Sequence, residues 1–437
     1  MKVALINPAW QFDHSIYFGC REPHLPLEFG YAQALLQAHG HEALLLDGVL
    51  DGLDAAGLAH SAYAFGAEMA VITTAPSYLF WRCAPPELRV PTEMAARLPE
   101  ILTVIVGPHG STTPGAALRK TGADVALLGE CEETIVALAD AGGVPDSVPG
   151  SASRTADGIR INGGPQAARF ADAPPLRWPD AWVRRHAHHH HRFDTTPQGP
   201  GAEIEASRGC PYACTFCAKL DFRDKYRRRD LHLLLAEIDG LIDQGVTYLY
   251  FIDEIFLPQR PLLEALCRRD VTFGVQTRID LWQPDMLRLL GEAGCVSVEA
   301  GVESLTVEGR AALDKKCRMT TDELTERLIF ARRYIPFVQA NLILSAGDDA
   351  EEIAAWRQRL HREGVWANDP VPLFPYPGSP DYRLRWGMPD DSAWERAHAH
   401  YLSRFDSMSD IQEADPLPLP ELEALPVQPR KPQPRKP

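Results

Sequence analysis

The chain has 437 residues, 45% of them hydrophobic and 24% charged, and a net charge of −15. Such a length supports two or three domains with sizeable cores, and an acidic balance without a Lys/Arg-rich face ahead of the tail argues against nucleic acid as a partner. No apolar run approaches the about 18 residues of a membrane span, and "MKVALINPAW" lacks the apolar core and cleavage site of a signal peptide, so a cytoplasmic address is expected.

From residue 1 to 145, strand-like runs ("KVALINP", "HEALLLD", "MAVITT", "LTVIVGP", "DVALLGE") alternate with helical stretches such as "EFGYAQALLQAHG" and "CEETIVALADAGG". That alternation predicts βαβ units in a doubly wound, Rossmann-like parallel sheet, with ligands at the carboxyl ends of its strands. The residues there are Asn7 and Pro8, Thr73 to Ser77, Gly107 to Gly110, and Gly129 with Glu130. Residues 146 to 200 are richer in Pro, Gly, Ser and Ala and read as a linker, with a small hairpin at "SRTADGIRINGG". The run "RRHAHHHHRF" (His186, His188 to His191) has no paired metal-ligand spacing and reads as a solvated loop.

The alternation restarts at residue 201. Strands "AEIEAS", "YLYFID", "TFGVQTR", "SVEAGVE", "QANLILS" and "PVPLFPY" alternate with amphipathic helices to about residue 385, which predicts a partial (β/α)6 barrel with its chemistry at the C-terminal face. Residues 386 to 415 read as a short helical segment, and residues 416 to 437 ("PLPLPELEALPVQPRKPQPRKP") as an extended, mobile Pro-rich tail.

Three of the nine cysteines, Cys210, Cys214 and Cys217, fall in "SRGCPYACTFC", just after the first barrel strand. Nine mostly isolated cysteines do not make a secreted disulfide framework, and a tight group in a reducing compartment points to a metal. A structural zinc site wants four ligands, commonly two separated pairs, and no second C-x2-C or H-x3-H lies nearby. A [4Fe-4S] cluster on three thiolates, by contrast, keeps one iron open to an exogenous ligand.

The spacing C-x3-C-x-aromatic-C, with Phe216 at the aromatic position, resembles the radical S-adenosylmethionine (SAM) superfamily. "FIDEIF", "VQTRIDL", "EAGCVSVEAGVES" and "PYPGSPDY" follow in the order seen in its branch with an N-terminal cobalamin-binding domain, and "INP", "PLEFGYAQALLQAHGHEALLLDG", "VIVGPHGSTTP" and "GADVALLGECEETI" resemble that B12-binding domain itself. Together they cover roughly residues 1 to 385.

The resemblance implies that the open iron chelates the amino and carboxylate groups of SAM, and that an electron from an external donor of flavodoxin or ferredoxin type cleaves a carbon-sulfur bond to give a 5'-deoxyadenosyl radical. Phe216 would lie near the adenine, and Asp253 or Glu254 would accept from the SAM ammonium. Two or three of Gln276, Arg278, Glu299, Glu303 and Ser304 would meet its ribose or carboxylate. For cobalamin, Thr74, Ser77, Gly107, Gly129 and Glu130 would line the pocket. No D-x-H-x-x-G occurs, so no histidine is marked as a lower cobalt ligand, and His109 would shape the nucleotide-tail pocket instead.

Two stretches depart from the pattern. "LSAGDDAEEI" replaces the usual Gly-Leu-Pro-Gly-like turn, and "APSYLFWRCAPPELRVP" inserts Trp81, Arg82, Cys83 and Arg89 beside the expected corrin face. The implied activity is methyl transfer to an unactivated carbon or to phosphorus of a small molecule. Rearrangement, transfer of the aminocarboxypropyl arm of SAM to an acceptor such as trivalent arsenic, and a non-catalytic cobalamin or redox sensor are the alternatives.

Overall fold

The computed structural model describes residues 1–17, 23–76, 83–186, 199–219, 221–345, 347–404 and 415–427. Its first sheet contains β1 (Lys2–Asn7), β2 (Glu42–Asp47), β3 (Met69–Thr73), β4 (Leu102–Val106), β5 (Val125–Leu127), β6 (Ser151–Thr155) and β7 (Gly158–Asn162), in the order β2-β1-β3-β4-β5-β6-β7. The first five are parallel, and β6 and β7 join antiparallel at one edge.

Period-2 alternation makes each central strand feed two cores. Val3 and Leu5 pack toward α1 (Leu27–Ala38) and α6 (Glu132–Asp140), whereas Ala4 and Ile6 pack toward α2 (Ala55–Phe65) and α3 (Arg89–Ala96). Strand β4 does the same, with Ile105 turned toward α5 (Pro114–Thr121), which follows the short α4 (Pro108–Thr112). The stretch expected as a linker is therefore only partly one. Its hairpin pairs in the first sheet, since β5 would otherwise present an open edge. Helix α7 (Asp180–Arg185) then leads toward the second sheet.

That sheet is all parallel, in the order β15-β14-β13-β12-β11-β8, from β8 (Gly201–Ile204), β11 (Tyr248–Phe251), β12 (Thr272–Thr277), β13 (Cys295–Glu303), β14 (Phe337–Leu342) and β15 (Trp366–Ala367). It stays open between β8 and β15, as a partial barrel does. A separate two-stranded pair, β9 (Ser207–Arg208) with β10 (Arg227–Arg228), sits above β8. The crossovers carry α8 (Leu231–Asp243), α9 (Arg260–Leu266), α10 (Pro284–Glu292), α11 (Val307–Ala312), α12 (Thr321–Arg332) and α13 (Ala350–Arg362).

Alternation again separates two faces. Ile204, Phe251, Phe273, Val298 and Ala340 join the helices in one apolar core. The other face carries Glu203, Tyr250, Gln276, Ser297, Glu299, Gln339 and Asn341, which fall on alternate register positions. Gly274 is required on this face: a Cβ there would lie 2.2 Å from the Tyr248 hydroxyl.

After α14 (Pro380–Trp386), the chain turns back to the first domain through α15 (Ala393–Leu402) and α16 (Leu419–Ala424). This corrects the expectation for the tail, at least over residues 415–427: Leu419 and Leu422, three apart, are buried, and Glu423 binds Lys120 at 2.8 Å and accepts from the Leu88 amide at 3.1 Å. The Pro-rich composition concealed a one-turn apolar face, and Pro420 sits where a helix start tolerates it. Leu422→Asp is expected to undock α16, seen as faster limited proteolysis of the C-terminal segment with the remaining fragment intact by mass.

Candidate functional site

The cysteine loop is carried by the β9/β10 pair and locked at its stem. Gly209 has φ 81°, and a Cβ there would lie 2.1 Å from the Lys225 carbonyl oxygen, so the chain can turn into Cys210 only with glycine. The Gly209 amide donates to Glu254 Oε2 at 2.6 Å, and the Arg223 guanidinium bridges Glu254 and Glu205. Beyond the stem, Lys219 Nζ donates to the Cys210 carbonyl at 2.5 Å and the Cys217 amide to that of Cys214 at 3.1 Å. The Thr215 amide donates to the Leu313 carbonyl, and the Thr215 carbonyl accepts from Asp381 at the start of α14.

All three cysteines are half-buried. Burial pushes the Cys214 thiol up, the Lys315 ammonium pulls it down, Glu303 raises it and Arg278 lowers it. Those neighbours are themselves paired: Lys315 with Glu303 at 2.9 Å, and Arg278 with Asp280 at 2.7 Å while lying 4.1 Å over the Tyr212 ring. Glu303 reaches this position because β13 bulges at its end, which gives Glu303 φ 66°.

Among the residues expected to meet SAM, the structure gathers Arg278 and Glu303 around Cys214, and joins Gln276 to Glu299 by a 3.1 Å hydrogen bond on the polar face of the sheet. Phe216 is half-buried on the loop. Asp253 and Glu254 serve the stem. Asp253 is fully buried, accepts from the Ala206 amide at 2.9 Å and from the Ser207 hydroxyl, and has its carboxyl pushed up by burial. Ser304 is buried and donates to Asp348 at 2.7 Å, so it ties the divergent loop after β14 to the end of β13.

At the strand ends of the first domain, Thr74, Gly107 and His109 come together. A Cβ on Gly107 (φ 124°) would lie 2.5 Å from Thr74 Oγ1. His109 is fully buried and stacks on Trp394 of α15 with ring centroids 4.1 Å apart. The Thr74 hydroxyl has no hydrogen-bond partner among the described residues, whereas the His109 ring lies against the backbone of Pro85, Pro86 and Thr74. Burial, reinforced by Lys120, lowers the His109 pKa to about 3. Ser77, Trp81 and Arg82 lie outside the described residues. Cys83 is half-buried, and Arg89 is buried with its guanidinium on the Gln11 and Asp13 carbonyls.

Gly129 and Glu130 are occupied by the protein itself. Gly129 (φ 87°) abuts Gln166, where a Cβ would lie 2.2 Å from its carbonyl oxygen. Glu130 is 2% exposed and accepts from Arg227, from Arg208 at 3.1 Å and from the Ala168 amide. Arg208, 1% exposed, also donates to Glu132 at 2.7 Å and to Glu205 at 2.8 Å, and its guanidinium lies 4.5 Å from the Phe170 ring centroid. This network joins the first domain to the cysteine loop. Sequence reasoning passed over Arg208, Arg223, Glu132, Glu205 and Lys315, although the first sits inside the quoted cysteine motif.

The donor sets fit the implied groups. Three half-buried thiols on one loop beside Arg278 and Lys315 suit an anionic iron-sulfur cluster, since nearby cations favour the thiolate. At the strand ends of the first domain, the unpaired buried hydroxyl of Thr74 suits a polar ligand group.

Residues 204–360 match the radical SAM superfamily model. An uncharacterized methyltransferase of Pyrococcus horikoshii is 23% identical over 70% of this chain and 66% of its own length, and the hopanoid C-3 methylase of Methylococcus capsulatus 27% over 75% and 61%. The chain thus spans less than two thirds of either relative. The radical SAM methyltransferase TsrM from Kitasatospora setae, solved with cobalamin and a [4Fe-4S] cluster, superposes with a TM-score of 0.65 at 21% identity, over 87% of this chain and 73% of that one. The two share a fold.

Two outcomes follow from this geometry. Arg208→Ala takes the guanidinium from buried Glu132 and leaves Glu130 and Glu205 to Arg227 and Arg223; it is expected to destabilise by about 3–5 kcal/mol, with Arg208→Lys a poor rescue because an ammonium lacks the planar fork; thermal unfolding measures both. For His109, with its pKa lowered from 6.5 to about 3, the unfolded chain gains a proton below pH 6.5 that the folded protein refuses, so stability falls as pH drops, by about 2 kcal/mol at pH 5. His109→Phe is expected to shrink the loss of Tm between pH 7 and pH 5.

Proposed function

We propose, from the match of residues 204–360 to the radical SAM superfamily model, that the chain is a cobalamin-dependent radical SAM methyltransferase acting on an unactivated carbon or phosphorus of a small molecule. The observation that carries the proposal is the placement of Cys210, Cys214 and Cys217 on one ion-locked loop, tied by Arg208 to the strand ends of the first domain. When bound, the cluster, SAM and cobalamin supply one-electron bond cleavage and methyl-carrying chemistry, which a carbon without a lone pair needs because polar attack on SAM is closed to it.

The residues of the chain bind, orient and exclude water. The three cysteines hold the cluster. Arg278 and Glu303 offer opposite charges to the SAM carboxylate and ammonium, with Lys315 holding Glu303 in place and Tyr212 covering Arg278. Gln276 and Glu299 would meet the ribose, and Phe216 the adenine. Asp253 and Glu254 position the loop and do not contact SAM directly. Thr74 and His109 meet the cobalamin periphery; His109, kept neutral by burial, is a hydrogen-bond partner with no charge to place against the corrin. Glu130 acts by positioning Arg208. Gly107 and Gly129 keep the backbone turns of the cobalamin pocket.

An external flavodoxin- or ferredoxin-type protein would deliver the electron. No helix among the described residues is long and apolar enough to cross a membrane, and a cytoplasmic enzyme is the corresponding proposal.

Anaerobic reconstitution is expected to give about four irons per chain and a corrin absorbance, and dithionite with SAM to give 5'-deoxyadenosine. Cys214→Ala is expected to abolish that product; SAM cleavage at the wild-type rate in this variant sinks the cluster assignment. S-adenosylhomocysteine alongside deoxyadenosine supports methylation, methylthioadenosine points to transfer of the aminocarboxypropyl arm, and bound corrin with neither product to a sensor.

A further inference from the structure

A second constellation lies away from the cysteine loop. Glu203 projects from edge strand β8 on the polar face of the sheet, and two histidines converge on its carboxylate. His24 comes from the segment preceding α1 and His186 from the residue after α7, so first domain, linker and barrel each contribute one side chain. The Glu203 carboxylate stands 3.0 Å from His24 Nδ1 and 2.6 Å, through both oxygens, from His186 Nε2. All three residues are buried, and their ligand atoms lie within 4.8 Å of one another. His186, expected in a solvated loop, is therefore a packed residue; His188 to His191 lie outside the described residues.

We propose that His24, His186 and Glu203 bind a divalent transition metal ion of the zinc class. A buried carboxylate needs compensating positive charge; among the described residues no Lys or Arg pairs with Glu203, and the two histidines, which hold its carboxyl low against burial, fill the role that a metal ion would take over, with the Leu25 amide donating at 3.3 Å. Two imidazoles and one carboxylate are the donor set that zinc and its first-row neighbours take, and three such ligands leave one position of a tetrahedral ion to water. Bonds of about 2.0–2.2 Å separate tetrahedral ligand atoms by roughly 3.4 Å. The present separations of 2.6 to 3.0 Å are those of hydrogen bonds, and the ligand atoms all lie within 4.8 Å of one another. Such an ion staples the first domain to the open edge of the barrel, on the sheet face that carries Gln276 and Glu299. The proposal is independent of the cluster and of the methyltransferase reading.

The test uses the full-length protein with Cys210, Cys214 and Cys217 changed to Ala and His188 to His191 changed to Ala, so that neither the cluster ligands nor the histidine run competes. Anaerobic titration with Co(II) is expected to show one ion per chain, with the visible d–d bands of a four-coordinate site and a raised Tm. Glu203→Gln and His186→Phe are each expected to weaken Co(II) binding at least about tenfold. Folded protein, by far-UV circular dichroism, that takes up no stoichiometric Co(II) overturns the proposal and leaves the triad an ion pair. Uptake undiminished in Glu203→Gln overturns it equally. Should Glu203→Gln fail to fold, the parent background decides: a Tm unchanged by Co(II), Zn(II) and EDTA refutes the site.

Discussion

One buried guanidinium organises the molecule. Arg208 follows the first barrel strand by four residues, yet two of its three carboxylate partners, Glu130 and Glu132, belong to the first domain. A charge removed from water is tolerable only where partners satisfy its fork, and those partners must then stay where they are. Glu205 and Glu254 extend the same network through Arg223 to the Gly209 amide, one residue before Cys210. The loop that presents the thiols is thus held from below by charges shared between two domains, so the position of the cysteines and the pose of the first domain are one constraint.

Strand parity then decides what the loop faces. On the second sheet, residues of one parity merge with the crossover helices into a continuous apolar core, and those of the other parity form a polar wall from Glu203 to Asn341. The wall is maintained by close fits, such as Gly274 under the Tyr248 hydroxyl, and by pairs within it, such as Gln276 with Glu299. At the cysteine end, the bulge in β13 turns Glu303 toward Lys315 and Cys214, a rearrangement that regular pairing would not allow. The return of the chain through α15 closes the other side, where Trp394 lies against His109 and its indole donates to Thr113 at 3.2 Å.

What could be read in advance divides by range. The two runs of alternating strands and helices, the open parallel sheets and the cysteine triplet follow from local pattern, because period and spacing are properties of a few neighbouring residues. The buried arginines were invisible for the opposite reason: in "SRGC" an arginine looks like a surface residue until Glu130, 78 positions away, is seen beside it. His186 was misread because its neighbours His188 to His191 gave the whole run a polar, repetitive look, while its own partner Glu203 sits in a strand. The helix α16 was hidden by proline content, although only Leu419 and Leu422 need to face inward.

By itself, the amino-acid sequence determined the two α/β domains, the three thiols and the position of the strand ends, since all of these are set by residue type and local period. Tertiary structure alone decided which carboxylates support the loop. It took Asp253, Glu254 and Glu130 for internal bonds, brought Lys315, Glu303 and Arg278 to the cysteines, and drew His24 and His186 onto one buried carboxylate. The reason is that a charged side chain acquires its role from whichever opposite charge burial forces upon it, and that partner is chosen by the packing of distant elements.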